Sequence, residues 1–248
     1  MIQIKSKREI ELMREAGRIV AETHEILKKY IEPGITTIEL DKIAEEYIRK
    51  RGASPAFKGY GGFPASICTS INHEVVHGIP GSKRLQEGDI ISIDIGTIKE
   101  KYYGDAARTY PVGNVDSEAQ KLIDVTRESF YEGFKVMKEG FRLSDISNAI
   151  QTYVEAHGFS IVRDYTGHGI GREMHEAPQI PNYGPKGRGP KIQAGMVLAV
   201  EPMVNIGTYK VKVLQDGWTV VTLDGKYSAH YEHTVVITQD EPELLTVL

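Results

Sequence analysis

GDIISIDIGT, Gly88 to Thr97, carries a contradiction. Ile90, Ile91, Ile93 and Ile95 mark a buried strand, yet Asp94 stands in the middle of them. An unpaired buried carboxylate costs several kcal/mol even after its surroundings relax, so something must compensate it. The partner has to come from elsewhere in the chain or from a bound cation.

The 248 residues suffice for one large domain or two small ones with a sizeable core. Hydrophobic residues make up 40% and charged residues 26%, ordinary values for a globular protein. The net charge is -4 with no block of Lys or Arg, which predicts neither nucleic-acid nor membrane-surface binding. No apolar run approaches the ~20 residues that a bilayer requires. MIQIKSKREIELMREAG is charged from Lys5 on, and reads as neither a secretory nor a transit peptide. The single Cys68 cannot form an internal disulfide, which fits a reducing compartment. The expectation is a monomer in the cytoplasm.

Outward from the isoleucine strand, the chain repeats itself. Apolar residues from Ile10 to Tyr30 fall near helical spacing over residues 8–31, and Pro33-Gly34 breaks the run. Thr36 and Glu39 have capping-box spacing and open a second helix that Gly52 closes. Further on, Ser117 and Gln120 have the same spacing and open a helix to about Lys138. A break at Glu139-Gly140 follows, then a helix from Leu143 to His157 closed by Gly158. His77-Gly78-Ile79 is echoed by His168-Gly169-Ile170, and GDIISID, ending at Asp94, by GMVLAVE, ending at Glu201. We read a duplicated α+β unit, one catalytic domain over residues 1–248, with halves at about 7–112 and 113–248 facing a shared site. The added segments differ between halves. One is the aromatic, glycine-rich run before His77; the other, REMHEAPQIPNYGPKGRGPK, is loop-like and carries His175.

Residues 98–103 read as a hairpin turn whose returning strand brings Asp105 beside Asp94, and YSAHYEHTVVIT places Glu232 in a strand. Asp94, Asp105, Glu201 and Glu232 are thus expected on β segments, two from each half, with His168 between two glycines. Taken singly, such residues are mostly turn, strand-end or packing residues; five in duplicated halves are not. Four packed carboxylates could not all stay ionised unaided, and two divalent cations cancel their charge. Two metals ~3.5–4 Å apart match known hydrolytic sites. A set of four oxygens and one nitrogen favours Mn, Fe(II) or Co, allows Zn, and argues against a structural zinc site.

With VVHGIP, GDIISIDIGT, YYGDAARTYPVG, GHGIGREMHE, GMVLAVEPMV, DGWTVVT and AHYEHTVVIT in place, the sequence resembles the methionine aminopeptidases, in the short bacterial type I form of the pita-bread metallopeptidases. The likeness runs from about Lys7 to Leu245. It implies an antiparallel-sheet α+β pita-bread fold around a dinuclear metal site. One metal would be held by Asp105, His168, Glu201 and Glu232, the other by Asp94, Asp105 and Glu232. A monovalent cation, Na or K, would lie near Ser92, Ile95 and Ser228. The implied activity removes the initiator methionine from nascent polypeptides near the ribosome, preferring a small second residue. A metal-bridged water would attack the scissile carbonyl with Glu201 as general acid/base. His175 would stabilise the oxyanion, and His77 would bind the scissile amide. Tyr60, Phe63, Cys68 and Trp218 would form the methionine pocket, with Phe57 and Met174 nearby. Two positions depart from the family's commoner residues, His73 and Gly61, and neither is an implied ligand. The resemblance to the short form implies a domain without a zinc-binding extension, and the 26 residues from His175 to Glu201 are too few for the helical insert of type II enzymes.

His73-Glu-Val-Val-His77 matches HExxH literally. That motif chelates on a helix, where residues four apart lie ~6 Å from each other. Val75, Val76 and the following Gly-Ile-Pro favour an extended segment, which separates the histidines by roughly 13 Å. Two rivals stand beside the peptidase reading: a non-catalytic pita-bread module that binds peptides, histones or RNA, and a dinuclear aminopeptidase of different preference. Metal content separates the first, and a panel of Met-, Leu- and Pro-led peptides the second.

Overall fold

A computed structural model describes residues 1–248. The strand Ile90–Lys99 organises the first half, pairing antiparallel with Tyr102–Pro111 on one side and with Cys68–Ile71 and Ser54–Pro55 on the other. Glu100 and Lys101 make the hairpin turn and both hold positive φ, the geometry that a two-residue turn requires between twisted strands. Ile91, Ile93 and Ile95 alternate onto one face, where they pack with Val20, Leu27, Leu40 and Ile48 of the covering helices α1 (Lys7–Leu27) and α2 (Thr37–Lys50). Asp94 therefore points to the opposite face, away from the helices. Gly104 lets α1 lie close on this sheet, because a Cβ there would sit 2.5 Å from the backbone nitrogen of Gly17.

The second half begins with α3 (Ser117–Phe134) and α4 (Leu143–Ala156). Phe130, Ile146 and Ile150 of these helices share a core with Leu198, Val200 and Val235. A five-stranded sheet runs Glu243–Leu244, His233–Val236, Val197–Val200, Gly167–Gly169, Glu176–Ile180. Two three-stranded sheets complete the architecture. One joins Ser228–His230, Met203–Asn205 and Ser160–Ile161; the other joins Val211–Val213, Val220–Thr222 and Glu74–Val76.

Helix boundaries differ from the sequence reading in detail. The capping box at Thr36 and Glu39 is present. The third helix is capped by Asp116, whose carboxylate accepts from Ala119 N–H at 2.7 Å, so Ser117 is its first helical residue and not its cap. α1 ends at Leu27 and α3 at Phe134, each a few residues short of the expected limit. The segment from Arg172 to Lys191 is not all loop: Glu176–Ile180 joins the five-stranded sheet at its edge, where Pro178 leaves no central ladder position without a donor. Glu74–Val76 is a strand, so the HExxH match is extended as expected.

No helix is long and apolar enough to cross a membrane.

Candidate metal centre

Asp94 and Asp105 lie within the paired strands of the hairpin. Asp105 is opposite Gly96, and Asp94 is opposite Ala107, so the period of two puts both carboxylates on one face. Gly96 has no side chain because Phe57 and Met174 occupy its space; a Cβ would meet their atoms at 2.7 and 2.8 Å.

Glu201 and Glu232 are not in strands, which corrects the expectation that all four acids sit in β structure. Each falls in a two-residue break, Glu201-Pro202 and Tyr231-Glu232, where the chain leaves one sheet for another. The breaks face each other, since Val200 pairs with His233 and Met203 with His230. Leaving the ladder turns both carboxylates inward together, and the Glu232 N–H is satisfied by Ala107 O at 2.9 Å.

His168 comes from the short strand Gly167–Gly169. Its glycine neighbours reflect close strand approach, because a Cβ at Gly169 would lie 2.2 Å from Ala177 O and one at Gly167 2.5 Å from Ala199 O. Nδ1 donates to Gly169 O at 2.9 Å, which leaves the Nε2 lone pair free. Nε2 is 3.6 Å from Glu201 Oε1 and 3.9 Å from Asp105 Oδ2. One donor atom each of Asp105, His168 and Glu232 lies within 4.8 Å of the others.

These five residues line one cleft of about 150 Å³ together with Phe57, Tyr60, Phe63, Cys68, His77, His175 and Trp218. Every residue that the sequence reading assigned to catalysis, divalent metal or methionine pocket is among them; Met174 packs beneath, buried. Phe63 and Trp218 meet edge-on with centroids 5.1 Å apart. The Tyr60 hydroxyl is 2.7 Å from His175 Nδ1, and the His175 ring is 4.4 Å from that of His168. His77 meets Tyr165 edge-on at 5.5 Å.

The three positions expected near a monovalent cation have separate neighbours. Ser92 Oγ is 2.8 Å from Thr109 Oγ1, the Ser228 hydroxyl donates to Val204 O at 3.3 Å, and the Ile95 side chain is in the apolar core under α1 and α2. The sequence reading missed His230, whose Nε2 is 3.6 Å from Glu201 Oε2. The alternation of His230 and Glu232 along AHYEH was the available signal.

The electrostatics call for cations. Asp94 Oδ1, Asp105 Oδ1, Glu232 Oε1 and His230 Nε2 are buried without a hydrogen-bond partner. Burial pushes the Asp94 carboxyl up to about 7 and the Glu201 carboxyl up to about 8 in the metal-free chain. Asp105 and Glu232 are also pushed up, by burial first and then by the neighbouring acids. Burial lowers His168, His77 and His230 to about 4, so all three imidazoles are neutral at pH 7 and able to accept or coordinate. Oxygen-rich, partnerless and self-repelling, this donor set fits divalent metal ions.

The model of the M24 metallopeptidase family matches residues 11–239. The methionine aminopeptidase of Clostridium perfringens is 60% identical over 248 residues, covering all of both chains. Methionine aminopeptidase 1 of Bacillus subtilis is 61% identical over 246 residues, 99% of each chain. The crystal structure of methionine aminopeptidase from Thermotoga maritima superposes with a TM-score of 0.99 at 48% identity, covering 100% of both chains, so the fold is the pita-bread fold. The chain belongs to metallopeptidase family M24, among its methionine aminopeptidases.

Proposed function

We propose that the chain removes the N-terminal methionine from nascent proteins and peptides in the cytoplasm, preferring a small second residue. The observation that carries this reading is the juxtaposition, in one cleft, of a partnerless acid cluster and an apolar recess of Phe63, Cys68 and Trp218. Aromatic faces and a thiol suit a flexible thioether side chain.

Asp105, His168, Glu201 and Glu232 would hold one divalent ion, and Asp94, Asp105 and Glu232 a second. Manganese, iron(II), cobalt or zinc all suit these donors. When bound, such ions supply Lewis acidity toward the scissile carbonyl and lower the pKa of water. Glu201 takes the proton from the attacking water and delivers it to the leaving amine, its carboxylate lying in the cleft beside the other donors. Partial desolvation in the cleft also shifts His175 down, so its ring is neutral. With the Tyr60 hydroxyl donating to Nδ1, the remaining proton sits on Nε2 and can be donated to the carbonyl oxygen as it gains charge. His77, neutral as well, hydrogen-bonds the scissile amide. With metal bound, the same centre would also hold the substrate's free α-amino group, which restricts cleavage to the first residue.

The test is hydrolysis of Met-Ala-Ser, Met-Leu-Ser, Leu-Ala-Ser and Pro-Ala-Ser after chelation and metal add-back. Met-Ala-Ser should be cleaved fastest and only with metal restored. Equal rates on Leu-Ala-Ser would contradict the methionine assignment.

A further inference from the structure

We propose that the N-terminal arm is a strap that positions His175, with Lys5 acting as a positioning residue through Glu176. The inference rests on the reading of His175 as a donor to the carbonyl oxygen.

His175 is an exposed residue on the turn Gly171–Glu176; its ring meets the Tyr60 hydroxyl and the His168 ring at the cleft, so its place depends on how the turn is held as well as on these contacts. What holds the turn is Glu176. Its Oε1 accepts from the backbone N–H groups of Arg172 at 2.9 Å and Glu173 at 3.3 Å, closing the turn on itself. Its Oε2 receives Lys5 Nζ at 2.5 Å, with side-chain exposures of 3% for Lys5 and 6% for Glu176. An ion pair this enclosed, spanning 171 positions of sequence, fixes the carboxylate in direction as well as place.

The rest of the arm is seated to match. Lys5 N–H donates to Gly195 O at 2.7 Å. Two glycines clear its path: a Cβ at Gly171 would lie 2.5 Å from Lys5 Nζ, and one at Gly195 2.6 Å from Ile4 Cγ2. A second tie grips the turn's other end. Ser6 caps α1, and its box partner Glu9 accepts from the Tyr102 hydroxyl at 2.9 Å. That hydroxyl in turn accepts from Arg172 Nε at 2.9 Å. Residues 5–9 therefore hold both ends of the turn that presents His175. A shift of ~1 Å in a catalytic group can cost about a hundredfold in rate.

The experiment compares Lys5→Met and Lys5→Arg with the parent enzyme, manganese-loaded for kinetics and zinc-loaded for imidazole 15N NMR, each assayed well below its own Tm. Lys5→Met should lower kcat on Met-Ala-Ser about tenfold with KM within twofold, and should displace the His175 ring resonances while both metals still bind by calorimetry. Lys5→Arg, which keeps the charge, should retain kcat within about threefold. A lowered Tm with unchanged kcat, unmoved His175 resonances, or equal loss in both variants would overturn the proposal. His175→Asn separates the two layers. If it leaves kcat intact, the role of His175 fails; if it lowers kcat while Lys5→Met does not, only the strap fails.

Discussion

The hydroxyl of Tyr60 lies 2.7 Å from Nδ1 of His175, joining the aromatic loop of the first half to the histidine turn of the second across the mouth of the cleft. A neutral imidazole carries one proton, and this contact decides which nitrogen has it. Tyr60→Phe should therefore lower kcat on Met-Ala-Ser about three- to tenfold and shift the imidazole 15N pattern of His175 toward a mixture of tautomers. An unchanged pattern would remove Tyr60 from that role.

Glu201 is the residue on which proton transfer depends. Glu201→Gln keeps the shape and removes the base, so kcat should fall by about 10³ or more with the fold and Tm preserved. Retention of a few per cent of parental activity would contradict the assignment.

Phe63 is 3% exposed and meets Trp218 edge-on. Phe63→Ala removes a wall of the recess. It should raise KM for methionyl peptides about tenfold with a smaller loss in kcat, and cost about 3 kcal/mol of stability by urea titration. Unchanged kinetics would place the methionine side chain elsewhere.

The site was legible where chemistry and periodicity agreed. Asp94 among isoleucines announced a buried charge, and the echo of GDIISID in GMVLAVE pointed to its counterpart in the other half. The breaks at Glu201 and Glu232 were not legible, because a strand that changes sheets keeps its apolar residues on both sides of the crossing. His230 was overlooked for the opposite reason: its contact with Glu201 exists only once two distant strands pair. Nor could local spacing show Asp116 capping the third helix when Ser117 offered the commoner motif. The tie between Lys5 and Glu176 joins residues that no periodicity relates.

Protonation and metal binding compete at the same oxygens. Asp94 moves from 3.8 to about 7 and Glu201 from 4.5 to about 8 in the metal-free fold. As pH rises above about 4, the unfolded chain releases these protons while the fold retains them, so metal-free stability is lost progressively up to about pH 8. Divalent ions replace the protons and abolish that loss. His24, lowered to about 3 by burial, destabilises both forms as pH falls below 6.5 and cancels in the comparison. The Tm gap between manganese-loaded and metal-free protein should thus widen from pH 5 to pH 8. A gap that narrows over this range would reverse the sign of the acid shifts.

The buried carboxylates converge because cations neutralise them, and anomalous scattering from crystals grown with manganese tests this most directly. Data collected on both sides of the manganese absorption edge should show two peaks among Asp94, Asp105, His168, Glu201 and Glu232. Crystals grown in saturating manganese that show no anomalous peak among these side chains would contradict it.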